Sequence, residues 1–269
     1  MKTIGFIGGG NMAQALLTGI LKAGLYHANH IWVSDVRLEQ LDVLKDIYGI
    51  HTTADNKELT AQADVIVLSV KPQVLGDVMA GIAGTLKEGT LVISIAAGIT
   101  TNSIREKLGD VQVVRVMPNT PALVGAGTSG LYNLSASEEN LNTALDIFAS
   151  VGRAVVLDDE KLIDVVTAVS GSGPAYFFLL MEEMIKAGME LGLTAETAKT
   201  LVLQTAKGAA LLAESAQEQG EDPAVLRQKV TSPGGTTEAA LKTFAAEGFE
   251  GIVKKSLRAA RDRGRALSE

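Results

Sequence analysis

The 269-residue chain contains no cysteine and only three histidines, His27, His30 and His51. Without cysteine, disulfides, thiolate catalysis and zinc sites with cysteine ligands are excluded. His27 and His30 have no partners at metal-ligand spacing, so we expect no metal site and interpret both as surface residues. Any chemistry in the second half of the chain must therefore proceed without a histidine.

Aromatic residues, positive charge and long apolar runs are also scarce. Aromatic residues make up 4% of the chain and the net charge is -7, which argues against nucleic-acid binding. The basic residues between Lys254 and Arg265 are interpreted as a solvated helix face. The longest apolar run, Leu91 to Ile99, includes Ser94 and Gly98 and is too short to span a bilayer. Met1-Lys2 leads straight into the first predicted strand, without a signal-peptide pattern, so we expect a soluble cytoplasmic protein with no membrane partner.

The segment from Thr3 to Ala13 combines a short apolar strand, a glycine-rich turn and the start of a helix. Gly8 permits a tight turn, Gly10 lets a pyrophosphate approach the backbone, and Ala13 lets the helix pack on the strand. In this context the motif predicts a dinucleotide-binding site, with a glycine-rich turn that only packs as the alternative. The residues assigned to the cofactor here are Ile7, Gly8, Gly9, Gly10, Asn11 and Met12.

Short β-branched runs separated by helix-length segments predict βαβ units and a doubly wound parallel sheet. From Glu160 onward almost every segment is helical. We therefore predict an α/β protein with a Rossmann-type domain over residues 1–158 and an all-α dimerisation domain over residues 159–269. The helix through Ala175–Met181 is apolar on nearly all sides, so we expect it to be buried and the protein to be a homo-oligomer. The predicted strands are Thr3–Ile7, Ile31–Asp35, Val65–Val70, Leu91–Ile95, Val113–Val116 and Arg153–Leu157.

Ligands of doubly wound sheets bind outside the carboxyl ends of the strands, so residues that follow strands should meet at one rim. At this rim Arg37 favours the extra phosphate of NADP, whereas Asp35 favours the ribose hydroxyl of NAD. NADP(H) is favoured, and NAD(H) is the alternative. Asn56 either reaches the same region or is an ordinary loop residue. The rim residues assigned to the cofactor are Ser34, Asp35, Arg37, Asn56, Val70, Lys71, Pro72, Ala96, Ala97, Gly98 and Asn119.

Two more glycine-rich stretches lie in the helical half. The small residues of Ser170–Ala175 are expected to let the helical domain approach the rim, with packing alone as the alternative. Hydroxyacid dehydrogenases related to 6-phosphogluconate dehydrogenase carry a catalytic lysine where this chain has Phe177, so their chemistry is disfavoured. Val230–Thr237 combines adjacent glycines, hydroxyls and a helix N-terminus, a nest of donors suited to a small carboxylate. Capping by Thr236 or Thr237 is the alternative.

With these residues in place, the chain resembles the pyrroline-5-carboxylate reductase family over essentially its full length. The resemblance implies NAD(P)H-dependent reduction of 1-pyrroline-5-carboxylate to L-proline, the last step of proline biosynthesis. It also implies an intertwined helical dimer, often assembled into a decamer, with the active site at the dimer interface. The motifs that carry it are Phe6–Met12, Val70–Gln73, Val114–Pro121, Ser170–Tyr176 and Thr231–Thr237.

The family pattern also implies roles for single residues. Ser34 and Asn56 are expected near the 2′-phosphate, Lys71 near the cofactor, and Glu160 at a substrate-side acidic position. Family members often carry Asn-Arg or Ser-rich residues where this chain has Ser34-Asp35, which bears on the NADP preference. The substrate carboxylate is expected at Ser232, Gly234, Gly235, Thr236 and Thr237, with Ser232 and Thr237 as catalytic residues.

The expected substrate chemistry agrees with the missing histidine. A protonated cyclic imine accepts hydride directly, so no group must remove an alcohol proton. Thr237 is expected to hydrogen-bond the ring nitrogen and to relay a proton through water. Two alternatives stay open: reduction of a different cyclic imine, and an NADP-binding sensor or scaffold that turns nothing over.

Overall fold

In a computed structural model, which describes residues 2–267, strands and helices alternate over the first half and helices fill the second. The strands are β1 (Ile4–Ile7), β2 (Ile31–Ser34), β3 (His51–Thr53), β4 (Val65–Leu68), β5 (Leu91–Ser94), β6 (Gln112–Met117), β7 (Gly127–Asn133) and β8 (Gly152–Leu157). The helices are α1 (Asn11–Lys22), α2 (Leu38–Tyr48), α3 (Asn56–Gln62), α4 (Pro72–Ile82), α5 (Thr101–Leu108), α6 (Glu138–Ala149), α7 (Leu162–Val166), α8 (Gly173–Glu190), α9 (Ala195–Gln217), α10 (Pro223–Lys229), α11 (Thr236–Ala246) and α12 (Phe249–Ala266). Short 3₁₀ turns cover Ala28–His30 and Thr120–Val124, and a π-helical turn, Thr167–Gly171, joins α7 to α8.

The eight strands found within residues 2–267 form one sheet in the order β3-β2-β1-β4-β5-β6-β7-β8. Neighbouring strands from β3 to β6 are parallel, β7 runs antiparallel to β6, and β8 is parallel to β7. The chain moves outward from β1 to β3 and then returns to β4 on the other side of β1. This switch point between β1 and β4 is where doubly wound sheets bind ligands. The predicted Rossmann-type sheet is confirmed.

Apolar side chains fill both faces of this sheet. One face packs against α1 and α6 through residues such as Leu16, Ile20 and Phe148. The other face packs against α4 and α5 through Leu75 and Ile104. The four residues of β4 are fully buried, as their continuous apolar run predicted for a central parallel strand.

Two strands were not predicted from the sequence. β3 is a three-residue edge strand that begins with His51 and two threonines, so it has no apolar pattern. β7 carries two glycines and no apolar run, and its position comes from pairing with β6 and β8. Both strands owe their structure to neighbouring strands and not to local sequence.

Backbone contacts divide the described residues into two compact units. The first holds the residues up to Pro174 and those from Ala259 onward, and the second is Ala175–Arg258. α7 belongs to the first unit because Ile163 is buried and Val166 packs on Gly130 of β7. The first unit therefore extends beyond residue 158, and the boundary at 158 remains a sequence-based prediction.

Helix α8 differs from expectation in this single chain. It was predicted to be buried on all sides, yet Phe177, Phe178 and Leu179 are 64%, 60% and 58% exposed. For one copy the prediction is therefore wrong, since Gly173 is the only residue of α8 that is buried. The helical stretch Leu162–Glu190 is also long and apolar enough to cross a membrane by length and composition alone.

Candidate active site

The turn after β1 is fixed by contacts that only glycine permits. Gly8 has φ +102°, and a Cβ there would lie 2.9 Å from the Ser69 carbonyl oxygen and from Val70 Cγ1. Its N–H donates to the Ser34 carbonyl (2.7 Å), and Ser69 Oγ donates to the Gly8 carbonyl (2.7 Å). The turn is therefore held between β2 and β4, at the switch point of the sheet.

The N-terminus of α1 fits a dinucleotide. Its N-cap residue is Gly10, which has no side chain to accept from the first-turn N–H groups, so that residue does not cap them. Among the described residues, no heavy atom lies within 4 Å of a Cβ built on Gly10. Open space in front of an uncapped helix N-terminus suits a pyrophosphate. Gly9 has a different reason, because a Cβ there would meet Leu44 Cδ1 at 2.6 Å.

The Asp35 carboxylate faces the protein. It accepts hydrogen bonds from the Gly9 N–H (2.9 Å), from the Arg37 N–H (3.0 Å), and from Arg37 Nε and Nη2 (3.0 Å each). Burial raises the pKa of Asp35, but the hydrogen bonds from Arg37 and Gly9 outweigh it and hold this pKa below its ordinary value. The Asp35 side chain is 8% exposed and that of Arg37 60%. The exposed member of this ion pair is therefore the guanidinium.

Ser34 and Asn56 are brought together, as the family resemblance implied. The fully buried Ser34 donates its hydroxyl to Asn56 Oδ1 at 2.7 Å. Asn56 opens α3, directly after Asp55, whose side chain accepts from the Lys57 N–H (2.8 Å) and caps the helix. The helix cap thus fixes the position of Asn56 beside the end of β2.

The remaining rim residues follow β4, β5 and β6 as predicted. Lys71 and Pro72 begin α4 as its N-cap and first residue, directly after Val70, and Lys71 is exposed. Ala96, Ala97 and Gly98 follow β5, and Gly98 (φ +75°) lies against Leu267, whose carbonyl oxygen would be 2.6 Å from a Cβ on that glycine. Asn119 follows β6, where its Nδ2 donates to the Ser170 carbonyl (3.1 Å) and its Oδ1 accepts from the Thr128 N–H (2.9 Å). Its amide therefore links three segments of the first unit.

Glu160 has protein partners for both carboxylate oxygens. Oε1 accepts from the Thr101 N–H (2.8 Å) and from Arg115 Nη1 (2.9 Å), and Oε2 accepts from the Thr101 hydroxyl (2.8 Å). Sequence reasoning missed Arg115 and Thr101. The available signal was an arginine inside the apolar run Val113–Val116, since a buried cation in a strand requires a partner.

The loop before α11 uses both of its glycine N–H groups internally. Gly234 (φ +73°) donates to Glu238 Oε2 at 2.7 Å, and Gly235 donates to the Ser232 carbonyl at 2.9 Å. A Cβ on Gly235 would lie 3.0 Å from that carbonyl oxygen, so the turn itself explains both glycines. The adjacent glycines are therefore no evidence for a bound carboxylate, and the carboxylate site remains a prediction.

Other donors remain at the start of α11. Its N-cap, Gly235, makes no side-chain hydrogen bond, and Thr236 and Thr237 form its first turn. Ser232 and Thr236 are exposed and Thr237 is half-buried. The role of Glu238 was missed in the sequence, although a glutamate at the third position of a helix often accepts from a backbone N–H at the helix start.

Known proteins match both parts of the chain. A family model for pyrroline-5-carboxylate reductase dimerisation matches residues 160–267, and one described as NADP oxidoreductase, coenzyme F420-dependent, matches residues 3–98. A pyrroline-5-carboxylate reductase from Pseudomonas aeruginosa is 50% identical over 268 residues, which cover 99% of this chain and 97% of the relative. The chain belongs to the pyrroline-5-carboxylate reductase family.

Solved structures of this family share the whole fold. The Coxiella burnetii pyrroline-5-carboxylate reductase superposes with a TM-score of 0.93 at 42% identity, covering 100% of this chain and 99% of the other. A Plasmodium falciparum pyrroline carboxylate reductase with NADP bound gives a TM-score of 0.87 at 32% identity, covering 100% and 98%. The expected oxidoreductase class, pyridine-nucleotide cofactor and homo-oligomeric dimerisation domain are thereby confirmed. The individual site residues remain predictions.

Proposed function

We propose that this protein reduces 1-pyrroline-5-carboxylate to L-proline with a reduced nicotinamide cofactor, the last step of proline biosynthesis. The observation that carries the proposal is the likeness to named pyrroline-5-carboxylate reductases, which spans 99% of the chain and includes both the nucleotide-binding and the helical part. We also propose a cytoplasmic location, where reduced nicotinamide cofactors are supplied to biosynthetic reductases.

NADPH is the proposed cofactor, with NADH as the alternative. An acidic side chain after β2 selects NAD only if its carboxylate is free to accept from the ribose hydroxyl. Here the Asp35 carboxylate accepts hydrogen bonds from Gly9 and Arg37, while the Arg37 guanidinium is exposed shortly after the end of β2. An exposed guanidinium suits a 2′-phosphate because it pairs with phosphate through several N–H donors.

The residues of the chain bind and orient, and few are needed for proton transfer. The chemistry that a reduced nicotinamide would supply when bound is hydride donation to the C=N carbon of the protonated imine. We propose that the α1 N-terminus binds the pyrophosphate, while Ser232, Thr236 and Thr237 hold the substrate carboxylate through hydroxyls and first-turn N–H groups. Thr237 is proposed to hydrogen-bond the ring nitrogen. Glu238 lies on the same turn, and its negative charge would repel an anionic substrate. Lys242 Nζ lies 3.2 Å from Glu238 Oε1 and offsets this charge.

A second copy is proposed to complete the site. The apolar surface of α8 is exposed in one chain, and the second unit has a groove of about 920 Å³ lined by Leu180, Leu241, Phe244 and Phe249 among others. Burial of such surface against another copy is the physical basis of an intertwined dimer. We propose this dimer, its assembly into a decamer, and an active site at the dimer interface.

The test is a reductase assay with purified protein, pyrroline-5-carboxylate, and NADPH or NADH in parallel. We expect nicotinamide oxidation coupled to L-proline formation, faster with NADPH. A panel of cyclic imines of other ring size separates the first alternative, because it would give faster turnover with another imine. Dinucleotide binding without turnover in either direction would support the sensor and overturn the reductase.

The Arg37→Met variant tests the cofactor preference in the same assay. We expect the Kd for NADPH to rise about tenfold, the loss of roughly one charge-assisted contact, with little change for NADH. An equal rise for both cofactors would show that Arg37 does not recognise the 2′-phosphate.

A further inference from the structure

The Glu160 carboxylate links two elements of the first unit. Its three hydrogen bonds go to the first residue of α5, Thr101, and to Arg115 on β6. The Thr101 N–H is one of the first-turn donors of α5 that have no partner within the helix. Glu160 therefore caps α5 from a distant part of the chain, in addition to the Thr100 side chain, which accepts from the Ser103 N–H.

Arg115 makes it costly for Glu160 to leave this position. The Arg115 side chain is 3% exposed and that of Glu160 20%. Among the described residues, Arg115 Nε and Nη2 have no hydrogen-bond partner. Glu160 is thus the carboxylate that compensates a buried guanidinium, and removing one member of such a pair is strongly unfavourable. Reorienting Glu160 toward a substrate would leave Arg115 unpaired.

The segment between β5 and α5 is held at both ends by these contacts. At its start, the Ile95 N–H donates to the Leu68 carbonyl of β4 (3.2 Å). At its end, Thr101 is fully buried and bound through both its N–H and its hydroxyl. Ala96, Ala97 and Gly98 lie between these anchors, at the carboxyl edge of the sheet.

We propose that Glu160 is a positioning residue that, paired with Arg115, fixes the start of α5 and so the rim segment Ala96–Thr100 against which the dinucleotide binds. It acts on cofactor binding and does not contact the substrate. The proposal rests on the proposed function only for its kinetic readout, because dinucleotide binding can be measured without turnover.

The decisive experiment compares E160Q, R115M and the double variant E160Q/R115M as full-length protein. Glutamine keeps an acceptor for Thr101 but leaves the Arg115 charge uncompensated, so we expect E160Q to raise the Kd for NADPH about tenfold. The double variant also lacks the Arg115 charge. On a logarithmic scale, its Kd for NADPH should return at least halfway from the E160Q value to the parent value. The KM for pyrroline-5-carboxylate at saturating NADPH should stay within about twofold of the parent value.

A role in substrate binding predicts the opposite pattern. E160Q would then raise the KM for pyrroline-5-carboxylate, leave the Kd for NADPH unchanged and gain nothing from R115M, and this result would overturn the proposal. A raised Kd for NADPH that R115M does not relieve would also overturn it.

T101V and T101S keep the test available if E160Q does not fold. T101V removes one of the three hydrogen bonds at constant shape, whereas T101S retains the hydroxyl. We expect a raised Kd for NADPH in T101V and the parent value in T101S, and equal values in both would count against the proposal. If the protein turns over no pyrroline-5-carboxylate, the titrations with NADPH still decide the role of Glu160, so the two proposals fail separately.

Discussion

At the scale of single residues, Gly8 and Gly10 occupy one turn but have different reasons to be glycine. Gly8→Ala should lower the free energy of unfolding by about 1–3 kcal/mol, because Gly8 has φ +102° and a Cβ would press on the Ser69 carbonyl. Gly10→Ala should cost less than about 1 kcal/mol, since its backbone is extended and the space is open. The Gly10 variant should nevertheless bind NADPH at least about tenfold more weakly, because its methyl group occupies the proposed pyrophosphate position.

Denaturant unfolding of the unliganded protein and NADPH titration separate these two effects. Gly81→Ala is the matched control, because Gly81 lies within α4 and, outside its own stretch of helix, no described heavy atom lies within 4 Å of a Cβ built there. It should bind NADPH like the parent chain. Unchanged binding by Gly10→Ala would show that the space in front of α1 does not hold the pyrophosphate.

Asp35 should contribute to the stability of the protein in a pH-dependent way. Its folded-state pKa lies below its ordinary value, so the ionised carboxylate stabilises the fold above the unfolded pKa of about 3.9. This contribution is lost as the pH falls through the folded-state pKa. Between about pH 6 and pH 3, the parent chain should therefore lose more stability than Asp35→Asn, by about 1 kcal/mol or less because Arg37 is solvent-exposed.

Chemical unfolding at a series of pH values measures this difference. Arg37→Met removes the guanidinium that donates to Asp35. The free energy of unfolding of this variant should therefore also fall less steeply between about pH 6 and pH 3 than that of the parent chain. If the free energy of unfolding fell equally steeply with decreasing pH in all three proteins, the Asp35–Arg37 pair would not stabilise the fold.

At the scale of secondary-structure elements, the start of α11 carries the proposed substrate contacts. Thr237→Val keeps the shape of the side chain but removes its hydroxyl. We expect kcat/KM for pyrroline-5-carboxylate to fall roughly 10- to 100-fold, equivalent to about 1.4–2.7 kcal/mol, with an unchanged Kd for NADPH. Steady-state kinetics and nucleotide titration together test this.

A hydroxyl elsewhere on the same helix provides the control. Thr243 donates its hydroxyl to the Ala239 carbonyl (3.3 Å) within α11, so Thr243→Val should leave both measurements unchanged. If Thr237→Val weakened substrate use and NADPH binding equally, the loop would be structural and the substrate carboxylate would bind elsewhere.

The local pattern of apolar residues predicted most of these elements, because that pattern reflects which side chains of each element are buried. The apolar run of β4 was recognised as a strand, although the strand ends at Leu68 and not at Val70. β3 and β7 were missed since strand pairing, and not their own composition, determines them. The fold is therefore predictable where burial is periodic and hidden where it depends on neighbours.

In the candidate site, too, some contacts were predictable from the sequence and others were not. The family resemblance implied that Ser34 and Asn56 both lie near the 2′-phosphate, and the two side chains are hydrogen-bonded to each other. The pairing of Glu160 with Arg115 was not anticipated, since 45 positions separate them. A single arginine in an apolar strand does not indicate which residue it pairs with. The orientation of Asp35 toward Gly9 was also beyond the sequence, which left its carboxylate as evidence for NAD.

At the scale of the whole molecule, the exposed apolar surface of α8 is the proposed dimer interface. Phe178 is 60% exposed in one chain, within the segment that matches the family dimerisation model. Phe178→Asp would place a charge in the proposed interface and should raise the dimer Kd roughly 30-fold or more, equivalent to about 2 kcal/mol. Val43→Asp is the control, because Val43 is a 48% exposed apolar residue on α2 of the first unit.

Sedimentation velocity over a range of protein concentrations, combined with NADPH titration and the reductase assay, tests this prediction. Phe178→Asp should shift toward monomer, retain NADPH binding through the first unit and lose proline formation, because the proposed active site needs the second copy. Val43→Asp should keep the parent oligomer and turnover. A monomeric Phe178→Asp protein with full reductase activity would show that one chain forms a complete site, so that the dimer serves stability alone.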